Sequence, residues 1–355
     1  MSRFLSQRFA SLEAYTPGEQ PQDMQYVKLN TNESPFPPSP QVIAAVSAAE
    51  TEKLNLYPDP ECKVLQQKLA DLYEVKPENV FLSNGSDDIL NFAFMAFCDE
   101  SRPVAFPAIS YGFYPVYADL YRLPATKIPL RENFRLEPED YCGLNKNIVI
   151  ANPNAPTGMA ISVDEIERIV ASNPDHVVLI DEAYVDFGGD SCRRLIPKHD
   201  NLLVCQTFSK SRSMAGGRLG FALGSAALIE DLNKIKYSTN PYNINRLTMV
   251  AAEATVDSND YYMANCRTIM ENRAYTVAEL DKLGFETLPS AANFIFTRCP
   301  KVTGGQLYQQ LKSRGVLVRH WKKAEISDYL RITIGSREQM DILLDKVREI
   351  LQEVN

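Results

Sequence analysis

Two apolar stretches that run directly into polar segments constrain the fold of this chain more than any other feature. Residues 177–180 are apolar throughout and are followed by Asp181, and the strand-like residues 201–205 lead into a loop that contains Lys210. Short continuous apolar runs are typical of parallel strands that are buried on both faces. Because ligands bind at the carboxyl ends of such strands, the sequence predicts a site that contains Asp181 and Lys210.

The loop after the second strand has the composition of an anion site. Hydroxyl side chains surround Lys210, a glycine pair follows at 216–217, and Arg218 comes next. Hydroxyls and a guanidinium can bond phosphate oxygens, and glycines let the main chain approach closely. A solvated loop lysine is the ordinary alternative, but the carboxylate of Asp181 favours a cofactor site. Pyridoxal phosphate needs a lysine amine, an acid beside its pyridine nitrogen and a phosphate site.

The two landmarks Asp-x-x-Tyr, at 181–184, and Ser-Lys-x(7)-Arg, at 209–218, resemble those of the fold type I aminotransferases. The likeness extends over nearly the whole chain and is closest to the histidinol-phosphate aminotransferase family. It implies an α/β fold with a mostly parallel central sheet, helices on both faces and a small C-terminal α/β domain. It also implies that Lys210 carries pyridoxal phosphate, that Asp181 pairs with the ring nitrogen and that Tyr184 bonds the ring hydroxyl.

Further cofactor residues follow from strand-to-loop transitions. Residues 80–88 indicate a strand, a glycine turn and a helix start, and the free N–H groups of Ser86 and Asp87 suit an anion. An ordinary capped helix is the alternative. The resemblance implies a phosphate site and a stacked aromatic ring made by Ser86, Asp87, Thr207, Ser209, Arg218, Tyr57 of the neighbouring subunit and Tyr111. Core packing is the alternative for each aromatic residue.

One position departs from the family pattern. The asparagine of the family's Asn-Pro-Thr-Gly segment, which bonds the ring hydroxyl, is replaced here by Ala155. Asn154, one place earlier, is therefore expected to serve instead.

Substrate residues come from both ends of the chain. Arg319 follows an apolar strand and Arg331 opens another, where an arginine is usually solvent-exposed. The resemblance implies that Arg331 binds a substrate carboxylate and that Arg319 binds a substrate phosphate. It adds four further substrate-side residues: Tyr15, Asn32, Glu33 and Asn293.

Alternating strands and helices continue to residue 224, as expected of a parallel sheet covered on both faces. Shorter strands and helices follow a long helix predicted from 258 to 284. The sequence therefore predicts an N-terminal arm at 1–34, a large cofactor-binding domain at 35–255 and a small domain at 256–355.

Composition narrows the classes of function. A net charge of −8 disfavours nucleic acid and anionic membranes as partners, and no apolar run is long enough to cross a bilayer. Seven cysteines without a Cys-x-x-Cys pair indicate a reducing cytoplasm, and three histidines without metal-site spacing predict no metal centre.

The expected activity is pyridoxal-phosphate-dependent transamination of histidinol phosphate with 2-oxoglutarate, in histidine biosynthesis, by a homodimer with shared active sites. A threonine-phosphate decarboxylase and an aromatic amino acid aminotransferase are the alternatives within the fold. A non-catalytic regulator is disfavoured because no basic DNA-binding module is evident. A nicotinamide dehydrogenase is disfavoured because no Gly-x-Gly-x-x-Gly follows a strand.

Overall fold

The computed structural model describes residues 6, 9 and 11–354. The first residues of the predicted N-terminal arm and the last residue of the chain lie outside this part. The strands are β1 Val27–Lys28, β2 Val80–Ser83, β3 Val104–Pro107, β4 Ala125–Ile128, β5 Asn147–Ala151, β6 Val178–Asp181, β7 Leu202–Thr207, β8 Gly220–Gly224, β9 Glu286–Thr287, β10 Phe294–Arg298, β11 Val316–Leu317, β12 Arg319–His320 and β13 Leu330–Thr333. The helices are α1 Pro40–Ala45, α2 Ala48–Thr51, α3 Lys63–Tyr73, α4 Ser86–Phe97, α5 Phe113–Tyr121, α6 Val163–Ala171, α7 Ala226–Thr239, α8 Arg246–Asp257, α9 Asn259–Lys282, α10 Gly304–Ser313 and α11 Arg337–Val354.

A seven-stranded sheet with the order β2-β8-β7-β6-β5-β3-β4 forms the centre of the molecule. Its strands run parallel except β8, which is antiparallel to both β2 and β7. Every residue of β5, β6 and β7 is buried, as the apolar runs predict. In this register Asp181 is paired with Ala151 on one side and with Cys205 on the other, so the carboxyl ends of three strands meet at one edge.

Helices cover both faces of this sheet. One face packs against α4, α5 and α7, and the other packs against α3, α6 and α8. Two apolar clusters thus enclose the sheet and keep water from its strands, which leaves the strand ends as the place where polar groups can gather. The predicted α/β fold with a mostly parallel sheet is confirmed.

The C-terminal third forms a second layered unit. An antiparallel sheet with the order β12-β13-β10-β9 packs on α9, α10 and α11 through a third apolar cluster. A capping box starts α11, since Ser336 Oγ accepts from the Gln339 N–H and Gln339 Oε1 accepts from the Ser336 N–H. The division at 35–255 and 256–355 stays a prediction. None of the helices among residues 11–354 combines the length and apolar composition needed to span a bilayer.

Backbone hydrogen bonds hold the N-terminal segment, which contains β1, against this C-terminal unit. β1 lies parallel to β11, with Val27 opposite Val316, and the Leu29 N–H donates to the Leu317 carbonyl at 2.8 Å. Leu29 is almost fully buried in the C-terminal cluster. The segment that follows, residues 30–33, is thereby held next to the ends of the central strands.

We expect Leu29→Ala to lower the free energy of unfolding by about 2–5 kcal/mol, because it removes buried methyl groups and leaves a cavity. Urea unfolding of both proteins would measure the loss. Met24→Ala, at an exposed position in the same segment, is the matched control and should change the free energy little. Equal effects of the two substitutions would show that the segment is not anchored through Leu29.

Candidate active site

A cavity lies at the carboxyl ends of the central strands, where the sequence predicts it. Its volume is about 100 Å³, and it opens into a wider cleft of about 420 Å³ through shared walls that include Tyr111, Tyr184 and Lys210. The cavity is lined by Ser86, Asp87, Tyr111, Ala151, Ala155, Asp181, Ala183, Tyr184, Thr207, Ser209, Lys210 and Arg218.

Asp181 is the buried acid of this cavity. Its carboxylate accepts a hydrogen bond from the Tyr114 hydroxyl at 2.8 Å and another from the Ala183 N–H at 3.2 Å. Both donors are neutral, so they offset only part of the cost of burying the charge. Burial therefore raises the pKa of Asp181 to about 6. A positively charged group placed in the cavity would stabilise the ionised carboxylate.

Lys210 lies on the loop after β7 and reaches the same cavity. Its Nζ donates to the carbonyl of Thr31 at 3.2 Å and lies 5.8 Å from the centre of the Tyr184 ring. The amine is thus held between the end of the central sheet and the N-terminal segment. A primary amine at this position can bond covalently to a carbonyl carbon or exchange a proton with a ligand.

Tyr184 is oriented by residues from three parts of the chain. The Asn32 side-chain amide donates to the Tyr184 hydroxyl at 3.0 Å, and the Thr333 hydroxyl donates to Asn32 Oδ1 at 2.9 Å. Asn32 has a left-handed backbone with φ 56°, and its carbonyl accepts from the Asn293 amide at 3.0 Å. Because the Tyr184 oxygen accepts from Asn32, its own proton can be donated to a ligand.

The opposite end of the cavity is built for an anion. The first turn of α4 presents the N–H groups of Ser86 and Asp87, and an added Cβ at Gly220 would lie 2.5 Å from the Ser86 nitrogen. Gly85 has φ 91°, and a Cβ there would lie 2.8 Å from a nitrogen of Arg218. The missing side chains leave the helix N-terminus and the guanidinium open to the cavity, which is how main-chain donors bind phosphate.

Arg218 closes this end. Its guanidinium donates to Asp87 Oδ2 at 3.2 Å and to Ser209 Oγ at 3.4 Å, and Tyr111 donates to Asp87 Oδ1 at 2.7 Å. Asp87 therefore uses its carboxylate to position a cation and an aromatic ring. Its main-chain N–H remains at the helix start.

The structure does not bring Asn154 into the cavity, contrary to expectation. Its Oδ1 accepts from Ser110 at 2.8 Å, and its amide donates to the Ile109 carbonyl and to Thr157. Asn154 thus uses its side chain to brace two loops, and Ala155 lines the cavity in its place. The assignment of Asn154 to the cofactor stays a prediction, since this residue does not line the cavity here.

Three other predicted residues also lie outside the cavity and cleft of their own chain. Glu33 accepts from Lys28 and Thr31, both at 2.7 Å, and Asn293 is fully buried behind Asn32. Tyr57 is 79% exposed and stacks on Tyr242 with ring centres 4.6 Å apart. An exposed tyrosine can contribute to a site only if another molecule approaches it.

The wider cleft gathers four of the six predicted substrate residues, Tyr15, Asn32, Arg319 and Arg331. Arg331 donates to the Asn30 carbonyl at 2.9 Å, and its Nε has no hydrogen-bond partner within the described residues. Arg319 donates to the carbonyls of Pro17 and Thr16 at 3.1 and 3.2 Å. Tyr15 stacks on Phe113, 4.1 Å between ring centres, and forms another wall.

Several residues of the site were missed by sequence reasoning. Tyr114 binds Asp181, and Trp321, Lys127 and Lys323 line the cleft. Tyr114 comes three residues after Tyr111, a helical spacing that could have placed both on one side of the site. Trp321 and Lys323 follow Arg319 at steps of two, the spacing of one face of an extended chain.

The donor set fits pyridoxal phosphate. The cavity offers an amine, a buried carboxylate without a charged donor, a tyrosine hydroxyl and, at the far end, an open helix start beside an arginine. These groups match the cofactor's aldehyde, ring nitrogen, ring hydroxyl and phosphate in turn.

Comparison with known proteins agrees with this geometry. Residues 24–347 match the family model described as aminotransferase class I and II. The chain belongs to this family. The resemblance predicted from the two landmarks is confirmed.

Within this family, the chain is similar over its whole length to proteins named histidinol-phosphate aminotransferase. The chain is 47% identical over 353 residues to the histidinol-phosphate aminotransferase of Brachyspira hyodysenteriae, covering 99% of this chain and 100% of that protein. It is 47% identical to histidinol-phosphate aminotransferase 2 of Dechloromonas aromatica, covering 99% of each. The relatives are therefore matched from end to end.

Solved structures confirm the fold. The histidinol-phosphate aminotransferase of Sinorhizobium meliloti, in complex with pyridoxal-5'-phosphate, superposes with a TM-score of 0.86 at 23% identity, covering 93% of this chain and 92% of that one. The L-threonine-O-3-phosphate decarboxylase of Porphyromonas gingivalis gives a TM-score of 0.80 at 21% identity, with coverages of 92% and 99%. Because an aminotransferase and a decarboxylase both superpose on this chain, the fold alone does not distinguish between these two activities.

The raised pKa of Asp181 predicts how stability depends on pH when no cofactor is bound. A carboxyl whose folded pKa exceeds its unfolded value favours folding at low pH, and that contribution is lost as pH rises from about 4 to about 6. The full loss is on the order of 3 kcal/mol. The side chain of residue 181 cannot ionise in Asp181→Asn. The free energy of unfolding of this variant should therefore increase relative to that of the wild type as pH rises from about 4 to about 6.

Urea unfolding of the cofactor-free proteins at several pH values tests this dependence. Asp190→Asn, at an exposed carboxyl, should follow the wild type. Parallel pH curves for wild type and Asp181→Asn would mean that burial of Asp181 does not shift its ionisation.

Proposed function

We propose that this chain uses pyridoxal phosphate to transfer the amino group of histidinol phosphate to 2-oxoglutarate, which yields imidazole-acetol phosphate and glutamate in histidine biosynthesis. The observation that carries the proposal is 47% identity to histidinol-phosphate aminotransferases over 99% of the chain. The cleft supports it, because it combines cations for an anionic substrate with a cavity suited to the cofactor.

When bound, pyridoxal phosphate takes up the amino group and withdraws electrons from the substrate's α-carbon. Asp181 would hold a proton at the ring nitrogen, since an uncompensated buried carboxylate favours a cation beside it. Tyr184 would donate its proton to the ring hydroxyl oxygen, and Tyr111 would lie against the ring. The phosphate would be bound by Ser86, Asp87, Thr207, Ser209 and Arg218.

Lys210 has two tasks in this proposal. Its amine would hold the cofactor and, when free, would move a proton at the substrate's α-carbon. The hydrogen bond from Lys210 to the Thr31 carbonyl keeps the amine at the junction of cavity and cleft. Proton transfer by a fixed group at that junction requires no water in the cavity.

Two different substrates must use one cleft. Arg331 would bind the carboxylate of glutamate, because its guanidinium lies between the rings of Phe294 and Trp321 with an unused Nε. Arg319 would bind the phosphate of the phosphorylated amine. A guanidinium can present paired donors to either anion.

The proposal includes a homodimer in which Tyr57 completes the partner's cofactor site. Large apolar side chains are exposed close together along residues 43–64, and Tyr57 stacks on Tyr242 on the same surface. Exposed apolar groups in this number are typical of protein interfaces. A reducing cytoplasm is proposed as the location because all seven cysteines are free.

A half-reaction screen tests the proposed substrate. Enzyme loaded with pyridoxal phosphate is mixed separately with histidinol phosphate, glutamate, threonine phosphate and phenylalanine, and the cofactor spectrum is recorded. We expect rapid spectral conversion with the first two amines only. Release of carbon dioxide from threonine phosphate would instead establish the decarboxylase.

We expect Lys210→Ala to lower the rate of that conversion by roughly 10²–10⁴-fold or more, because the general base is removed. The control is Lys301→Ala, which replaces an exposed lysine distant in sequence from Lys210. This variant should convert the substrates at the wild-type rate. Circular dichroism would check that both variants are folded. Normal turnover by Lys210→Ala would exclude this lysine from the reaction.

A further inference from the structure

The cleft has a charge opposite to that of the protein. Its walls carry five cationic side chains, from Lys127, Lys210, Arg319, Lys323 and Arg331, and no Asp or Glu is among the described residues that line it. The whole chain has a net charge of −8. Cations that are concentrated in a concave surface focus the field and raise the local concentration of anions.

Two of these cations have no part in the proposed reaction. Lys210 is assigned to proton transfer, and Arg331 and Arg319 are assigned to substrate anions. Lys127 and Lys323 lie on the part of the cleft formed by residues 106–108, away from the cofactor cavity, which neither lysine lines. Their charges suit an anionic group of the substrate that extends outward from the reacting carbon.

Lys323 belongs to a row of three residues that face the cleft. Arg319, Trp321 and Lys323 all line it, whereas His320 and Lys322, which alternate with them, do not. His320 instead hydrogen-bonds the Ser327 carbonyl at 2.8 Å and stacks on Tyr308. The Arg319 guanidinium lies 5.6 Å from the centre of the Trp321 ring, so the row begins with a cation and an aromatic in contact.

The two lysines reach the cleft from different parts of the fold. Lys323 Nζ donates to the carbonyl of Ala108 at 3.3 Å and lies 3.5 Å from Glu325. Lys127 lies on β4 directly opposite Phe106 of β3, two residues before Ala108. One lysine therefore lines the cleft from the C-terminal unit and the other from the central sheet.

Arg319 alone offers limited capacity for a phosphate. Its two terminal nitrogens each donate to a main-chain carbonyl, of Pro17 and of Thr16. A phosphate monoester carries up to two negative charges and three acceptor oxygens. Further positive charge would come from neighbouring side chains, and the two lysines are the remaining cations among the described residues that line the cleft.

We propose that Lys127 and Lys323 form an outer anion subsite that binds the phosphate of the substrate together with Arg319. This inference rests on the proposed function and specifies how the same cleft selects a phosphorylated amine. Lysine ammonium groups act as point charges that need no fixed approach angle. The subsite thus favours a dianion over the single distal carboxylate of glutamate, which Arg331 binds.

The test uses the dimeric enzyme loaded with pyridoxal phosphate and the variants Lys127→Gln, Lys323→Gln and the double variant. Glutamine keeps most of the side-chain length and removes the charge. Lys322→Gln is the matched control, because it removes an adjacent lysine that does not line the cleft. Half-reaction kcat and KM are measured for histidinol phosphate, for histidinol without its phosphate, and for glutamate.

We expect the double variant to lose roughly 5- to 50-fold in kcat/KM for histidinol phosphate, mainly through KM, since exposed charge pairs contribute less than buried ones. The loss should be at least severalfold larger than for glutamate or histidinol. The dissociation constant of inorganic phosphate, measured by calorimetry on the same enzyme, should rise in parallel. Lys322→Gln should match the wild type in every measurement.

Equal losses for all three amines would overturn the subsite and leave only general attraction of anions. An unchanged dissociation constant for inorganic phosphate in the double variant would overturn it as well. A loss confined to kcat would do the same, because it would indicate a role in the reaction and not in binding. If wild-type enzyme fails to convert histidinol phosphate but converts another amine, the proposed function fails first, and this outcome is distinct from the others.

Discussion

The carboxylate of Asp181 is the constraint on which the rest of the site depends. Parallel pairing on both sides fixes it at the end of β6, and two covered sheet faces keep it from water. Its donors, Tyr114 and the Ala183 N–H, carry no charge. A buried anion in that state is costly unless a cation joins it, so this position favours a cationic group beside the carboxylate. The same cavity is lined by the amine of Lys210, the hydroxyl of Tyr184 and the guanidinium of Arg218.

The part of the fold that local sequence determines could be predicted. Continuous apolar runs marked the buried strands, and the residue after each run marked a strand end, which located Asp181 and Lys210. A strand followed by glycine and a polar turn located Ser86 for the same reason. These signals are local because burial and helix termini leave their pattern within about ten residues.

What could not be predicted depends on partners distant in the chain. β1 pairs with β11 across almost the whole sequence, and Asn32 meets Tyr184 and Thr333 only after that pairing has formed. Asn154 was assigned because it precedes Ala155 in sequence, but loop geometry directs its amide nitrogen to the Ile109 carbonyl and its Oδ1 to the Ser110 hydroxyl. Single side-chain directions of this kind depend on backbone torsions that residue type does not specify.

The same long-range contacts fix the position of the cleft relative to the cofactor cavity. Arg331 lies on β13, two residues before Thr333, which hydrogen-bonds Asn32 through both its hydroxyl proton and its oxygen. Asn32 in turn holds the Tyr184 hydroxyl in the cavity. The strand that carries Arg331 is thus connected to the cofactor cavity through the side chain of Asn32. Displacement of β13 would misplace both groups together, so the N-terminal segment, although far from both in sequence, sets the geometry in which an α-carbon can lie between them.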